Sequence, residues 1–268
     1  MSRKIHIPKE VLEELYYDKD MTIAEIAKKL EVGAATVYNR MVEYGFKFDK
    51  GEKISRKLLN MAGYDRKWSK LQREIFDGLM VSDGSIYRHR NRNYRKTYIC
   101  RFQLVSKYWE FCKHVIDILP DGLFSENQPY ADIRVHDKFY SDGMAMLYKI
   151  QSRADKYITE QYYRWYSDGE KEIPDDFVVT PVVLKYWFIC DGTMGGRYVR
   201  LDCTPFSDLK VLEIVIPQLH EVGIHCRYKR LKYRNEAFIH IGRADDIARF
   251  YEYIGDCPVD CFAYKWGW

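Results

Sequence analysis

Residues 184–192 (LKYWFICDG) and residues 76–84 (FDGLMVSDG) decide the fold of this 268-residue chain. Each is an apolar helical run that closes on Asp-Gly and is followed by a small hydroxylated residue, Ser85 or Thr193. Each is preceded by a helix start. Ser69 with Gln72 reads as a capping box, and Thr180 before Pro181 reads as an N-cap with proline at the first helical position. The acids fall where a helix disfavours them, because Asp83 and Asp191 stand at the negative end of the macrodipole. Gly78 and Ser82 share one helix face and are small enough to admit a second helix. Two such helices packed side by side and parallel bring both carboxylates together, which is repulsive unless a divalent cation lies between them. That is a metal site suited to phosphodiester chemistry. A single Asp-Gly helix end is also an ordinary glycine cap, so the repetition carries the signal.

The two stretches resemble the paired motifs of the LAGLIDADG homing endonucleases, and residues 184–192 are close to the second-motif form Leu-Ala-Tyr-Trp-Phe-Met-Asp-Asp-Gly. The likeness extends over roughly residues 69–268. Lys171-Glu172-Ile173-Pro174 looks like the Lys-x-Ile-Pro segment ahead of the second motif, and Ala263-Tyr264-Lys265 looks like the Tyr-Lys that closes the second repeat. There are departures. Phe76-Asp77 replaces an apolar-small pair, and Cys190 stands where many members carry an extra acid.

The resemblance implies an α+β fold of two pseudo-symmetric αββαββα half-domains whose antiparallel sheets bind double-stranded DNA. It implies a monomeric site-specific endonuclease that makes a metal-dependent double-strand break in a long asymmetric site and leaves short 3′ overhangs. Mg²⁺ is the implied cofactor, with Mn²⁺ as a substitute. Asp83 and Asp191 would each bind the metal, helped by the carbonyls of Ser82 and Cys190. Lys171 and Lys265 would place a cation near the scissile phosphate, where it stabilises transition-state charge. Gln103 and Thr204 would order active-site water. The alternative on the same fold is a cleavage-inactive DNA-binding regulator or RNA maturase.

Net charge is only +4, so the distribution of charge carries the nucleic-acid signal. Residues 86–101 hold Arg88, Arg90, Arg92, Arg95, Lys96 and Arg101 without an acid. The stretch reads as a β-ribbon with a tip at Asn91-Arg92-Asn93, and Arg88, Arg90 and Arg92 fall on one face if it is a single strand. A ribbon of this kind fits the major groove. A helix is expected over residues 107–119, a strand over 130–135 offering Arg134 with Lys138 beyond it, and a helix over 143–166. The order then repeats after the second motif. Residues 197–203 read as a strand with Arg197 and Arg200, and residues 208–222 as a helix. Residues 225–234 read as a basic strand with Arg227, Lys229, Arg230, Lys232 and Arg234, again acid-free. A return strand over 236–241 and a helix over 244–254 complete an internal duplication of architecture.

Residues 1–46 read as a small all-α helix-turn-helix DNA-binding domain. Thr22 caps the middle helix, Glu31-Val32-Gly33 makes the turn, and the helix from Ala34 presents Ala35, Thr36, Tyr38, Asn39 and Arg40. Residues 47–68 read as a basic linker, either solvated or laid along phosphates. The two repeats are then expected over 69–170 and 171–268. Seven cysteines at irregular spacing suggest reduced intracellular thiols, and Cys257 with Cys261 lacks the second pair that a zinc site needs. No apolar run reaches membrane-spanning length, and residues 1–10 lack the apolar core of a signal peptide, so a cytoplasmic location is expected.

Overall fold

The helix that carries the first motif starts where the sequence places it. In the computed structural model, Ser69 Oγ accepts from Gln72 N at 3.2 Å and Gln72 Oε1 accepts from Ser69 N at 3.0 Å, closing the capping box of α4 (Lys70–Met80). The structure describes residues 6–19, 21–46, 65–88, 100–135, 144–231 and 233–267, without the side chains of 132–135 and 144–145. They divide into two compact units, one of residues 63–88 with 99–268 and one of residues 1–62 with 89–98.

In the larger unit the second-motif helix, α7 (Pro181–Asp191), begins at Thr180, whose Oγ1 accepts from Val183 N at 3.2 Å. It buries Val183, Leu184, Tyr186, Trp187, Phe188 and Ile189, so it is apolar nearly all round, as an internal helix must be. It packs directly on α4. A Cβ added to Gly78 would lie 2.7 Å from Tyr186 Cβ and 2.7 Å from the Val183 carbonyl oxygen, closer than atoms can approach. Gly78 faces Val183 and Tyr186, and further along Ser82 bonds to Cys190. The contacts advance in one direction along both helices, which therefore run parallel.

Each motif helix leads into a four-stranded antiparallel sheet. The first contains β1 (Ser85–Arg88), β2 (Cys100–Ser106), β3 (Tyr130–Val135) and β4 (Met144–Gln151) in the order β1-β2-β4-β3. Its helices are α5 (Trp109–Ile118) and α6 (Lys156–Trp165). A two-stranded hairpin, β5 (Tyr166–Ser167) and β6 (Glu170–Lys171), follows. The second sheet contains β7 (Gly192–Met194), β8 (Val199–Asp202), β9 (Arg227–Leu231) and β10 (Glu236–Ile241) in the order β7-β8-β10-β9. Helical segments α8 (Asp208–Lys210) and α9 (Ile216–Glu221), joined by a π-helical turn, precede β9, and α10 (Ala244–Ile254) follows β10. The two orders are the same, so the duplication read from the sequence is a duplication of topology. One hydrophobic core runs through both halves, from Trp68 to Phe262.

Two expectations are corrected. Residues 143–166 are not one helix, because Met144–Gln151 forms β4, hydrogen-bonded to both β2 and β3. The helix begins only after Asp155, whose carboxylate accepts from Tyr157 N at 3.0 Å and Ile158 N at 3.4 Å. The apolar residues of 144–151 suit either period, and a sheet with a strand missing from its middle outweighs local helix preference. The C-terminal end of the basic linker also belongs to the core. Arg66 Nη1 lies 3.1 Å from Asp155 Oδ2, and buried Trp68 donates to Asp155 Oδ1 at 3.1 Å. Residues 47–64 lie outside the described residues, as do the ribbon tip and Lys138.

The smaller unit has α1 (Lys9–Glu13), prolonged by a π-turn over Glu14–Asp18, then α2 (Ile23–Lys29) and α3 (Ala34–Glu43). Leu12, Leu15, Tyr16, Ile26, Ala27, Val37 and Met41 form its core. Thr22 and Glu25 close a capping box on α2, and Glu31 takes φ 53° in the turn between α2 and α3. Ala35, Tyr38 and Asn39 are exposed on α3, Thr36 is half-buried, and Arg40 pairs with Glu43.

Gly78→Ala is expected to lower stability by about 1–3 kcal/mol, because the methyl group must push α7 away. Urea unfolding measures this. An unchanged midpoint would show that the helices are not in backbone contact.

Candidate catalytic centre and nucleic-acid face

Parallel packing brings together what the helices end on. Asp83 lies in the turn after α4 and Asp191 at the last residue of α7. Burial raises the carboxyl pKa of Asp83, opposed by the charges of Lys171 and Lys265. Burial also raises that of Asp191, with further repulsion from Asp83 and Asp202. The Cys190 thiol lies between them, kept protonated by burial and by the Asp83 charge. Burial is the larger cause for both acids, and the charge of Asp83 adds to it at Asp191.

The two lysines have a definite place. Lys171 Nζ donates to the carbonyls of Ser82 at 2.7 Å and Gly84 at 2.8 Å, at the end of the first motif. Lys265 Nζ donates to those of Phe188 at 3.0 Å, Ile189 at 2.6 Å and Gly192 at 2.7 Å, at the end of the second. The end of each motif helix is therefore capped by an ammonium, which bonds carbonyls of the last turn and of the residues just beyond it and offsets the negative macrodipole. Burial pulls the Lys171 pKa down to about 8, with Asp191 and Asp83 acting against it. Lys265 is buried, at 7% exposure, and its pKa is likewise lowered by burial. Three carbonyl acceptors require three N–H donors, so Lys265 is held as the charged ammonium. With all three donors engaged, Lys265 acts on the acids through its charge and not through a further hydrogen bond. The sequence reading treated both lysines only as cations for the phosphate and missed the helix ends.

The donor set suits a hard divalent ion. Asp83 and Asp191 supply two carboxylates whose ionisation is disfavoured by burial and, at Asp191, by the charge of Asp83 as well, a situation that a cation relieves. Among the described residues no group of three or more His, Cys, Asp or Glu forms a protein cage. Mg²⁺ commonly takes one or two carboxylates and completes its shell from water and substrate phosphate, which agrees with this pair. The Ser82 carbonyl, expected as a metal ligand, already accepts from Lys171.

Strand register sorts the basic residues by face. In the first sheet Tyr87 pairs with Arg101 and Ser85 with Gln103, while buried Ile86 pairs with buried Phe102. Gln103 also lies opposite Gln151. Tyr87, Arg101, Gln103 and Gln151 thus share the open face. Arg88 alternates onto the other face with Ile86, so it does not lie with Arg101. Arg90, Arg92, Arg95 and Lys96 lie outside the described residues, and Arg134 is placed only by its backbone, opposite Ala145.

In the second sheet Arg200 and Arg227 both pair with His240, and Asp202 and Lys229 both pair with Phe238. These residues form the open face. The Arg200 guanidinium carbon lies 4.7 Å from the Tyr198 ring centre and 4.4 Å from that of Phe238. Arg230 is corrected. It alternates to the rear face, donates to the Phe206 carbonyl at 2.7 Å and pairs with Asp208. Thr204 is corrected as well, because it holds Asp202 and the strand end. Its Oγ1 donates to Asp202 Oδ2 at 3.0 Å and accepts from Ala237 N at 2.9 Å. Arg197 precedes β8, Arg234 follows β9 as an exposed turn residue, and Lys232 lies outside the described residues. Asp202, whose charge reaches Asp191, was missed. Alternation with Arg200 along VRLD was the available signal.

The chain was compared with known families and structures. The family model described as the LAGLIDADG DNA endonuclease family matches residues 73–247. The homing endonuclease I-WcaI bound to its DNA recognition sequence is similar in structure, with TM-score 0.63 and 20% identity over 82% of this chain and 94% of that one. I-DmoI in complex with DNA and Mn gives TM-score 0.42 and 15% identity over 69% and 96% of the respective chains. Full-length DUF199/WhiA from Thermatoga maritima gives TM-score 0.43 and 14% identity over 77% and 61%. No curated protein matches the sequence.

Lys265→Met is expected to cost about 3 kcal/mol, since it removes a buried ammonium that bonds three carbonyls at the end of α7. Thermal unfolding measures the loss. A stability equal to wild type would show that the carbonyls find water instead.

Proposed function

The chain belongs to the LAGLIDADG DNA endonuclease family, and on that premise we propose that it cuts both strands of a long asymmetric DNA site as a monomer, with Mg²⁺ held by Asp83 and Asp191. The observation that carries this reading is the convergence of two aspartates, Asp83 open to solvent and Asp191 half-buried, at the ends of two capped helices, each leading into a sheet with a cationic open face. A bound divalent ion supplies activation of water and stabilisation of the departing oxygen.

The chain's own residues do the rest. Asp83 serves one strand and Asp191 the other. Lys171 and Lys265 fix the helix ends that present the acids and add positive charge where phosphate charge builds up. Arg101 and Gln103 in one half, and Arg200, Arg227 and Lys229 in the other, line open faces that take the duplex. Two different halves in one chain read an asymmetric site, without the palindromy that a symmetric dimer imposes. Short 3′ overhangs follow from cutting across the minor groove. We assign α3, with Thr36, Tyr38, Asn39 and Arg40, to additional DNA contact outside the cleavage module.

The test is cleavage of a duplex that joins the two flanks of the gene's own insertion site, with Mg²⁺ or EDTA. Asp191→Asn is expected to bind this duplex like wild type and to leave one strand uncut, while Asp83→Asn spares the other. Wild-type double-strand cutting by either variant would sink the assignment, and metal-independent binding without cutting would favour a regulator. Mg²⁺ or Ca²⁺ is also expected to raise the unfolding temperature of the wild type, by linkage, and not that of Asp83→Asn/Asp191→Asn. Removing residues 1–46 is expected to weaken binding while leaving the cut position unchanged, which sequencing of the product ends determines.

A further inference from the structure

At one corner of the second sheet lies a pocket of about 430 Å³, lined by His220, His225, Cys226, Arg227, Lys229, His240, Gly242 and Arg243. Its wall contains six cationic or protonatable side chains and no acid. Arg227 and Lys229 lie on the open face of exposed strand β9 and have no carboxylate partner among the described residues. His240 is opposite Arg227 on one side and Arg200 on the other. Its Nδ1 is buried and has no hydrogen-bond partner among the described residues. A Cβ at Gly242 would come within 2.8 Å of His240 Nε2, so the glycine leaves room for the imidazole at the pocket wall.

The other two histidines are held in place. His225 Nδ1 lies 3.1 Å from Asp246 Oδ1, and His220 Nε2 lies 3.3 Å from the Cys226 amide that donates to it. Of the three, His240 is the one with a buried ring nitrogen that has no partner among the described residues.

We propose that this pocket binds a backbone phosphate of the DNA and that His240 takes up a proton from solvent as the phosphate binds. The inference rests on the DNA-binding reading above and adds a site and a proton to it. Every charged group that faces His240 is a cation: Arg200 from β8, and Arg227 and Lys229 from β9. Tyr198 and Phe238 complete its surroundings as rings. Burial, followed by these three cations, holds the imidazole below its ordinary pKa, so it is neutral in the free protein near neutral pH. A phosphodiester among them reverses the sign of the local field. The phosphate charge then favours the imidazolium over the neutral ring. The volume suits a phosphate with its sugar, and no cavity of comparable chemistry is needed for a base.

Linkage fixes the sign. A group that gains a proton on binding makes binding tighter as pH falls, by at most about tenfold per pH unit for one proton. The experiment is fluorescence anisotropy of the full chain with the insertion-site duplex. It is run with EDTA, so that nothing is cut, at constant ionic strength between about pH 5.5 and 7.5, where histidine titrates. Wild type is expected to bind about three- to tenfold more tightly at the acid end, and His240→Gln is expected to lose most of that slope. Arg227→Gln, on an exposed edge strand, is expected to weaken binding at every pH and to reduce the salt slope by about one phosphate contact.

Millimolar inorganic phosphate separates free anion from DNA. It is expected to leave the affinity at acid pH unchanged. If it abolishes the pH slope, the pocket serves a free phosphate and the DNA assignment falls. A pH-independent wild type, or a His240→Gln that keeps the full slope, overturns the pocket alone. Failure to bind duplex at any pH overturns the DNA-binding reading itself.

Discussion

Two helix ends of negative polarity, each with an aspartate attached, cannot share a buried interface unless the chain provides positive charge there. Everything around the centre answers that constraint. Gly78 allows backbone contact with α7, which brings the ends within reach of each other. The lysine ammoniums then occupy the carbonyls at those ends with five hydrogen bonds in all. The acids remain uncomfortable even so: burial raises both pKa values, and the charge of Asp83 raises that of Asp191 further. A centre in this condition is prepared for a cation, because binding one removes a strain already present.

The sheets carry the second half of the design. Each begins immediately after a motif acid, so the first residues of β1 and β7 tie the open faces to the centre. Alternation then divides the work of every strand. Ile86, Phe102, Leu201 and Ile239 anchor the sheets to the core. Arg101, Arg200, Arg227 and Lys229 remain on the side away from it. Aromatic rings hold some of these cations in fixed poses. Arg200 between Tyr198 and Phe238 has lost most of its rotamer freedom before any ligand arrives.

The features legible in the sequence are those written in local chemistry. Ser69 with Gln72, and Thr180 with Pro181, announce both motif helices, and Gly78 announces their closeness. Features that depend on a partner far along the chain were not legible. Nothing within residues 144–151 says that they fill the gap between β2 and β3. Five basic residues of 225–234 look alike as letters, yet pairing with β10 turns Arg227 and Lys229 outward and Arg230 towards Asp208. Family likeness identified Lys171 and Lys265 as important, but only distances reveal that carbonyls hold them.

The first helix end is capped from Lys171, which lies in the short hairpin after α6, ahead of the segment that leads to α7. The second is capped from Lys265, near the end of the described chain. Each half thus carries its own cap at its own tail, and the stretch between Lys171 and Thr180 is the seam. A gene divided at this seam would encode two pieces, each bringing one acid, one sheet and one counter-charge to the core they share. A division a few residues earlier would hand the first half's cation to the wrong fragment.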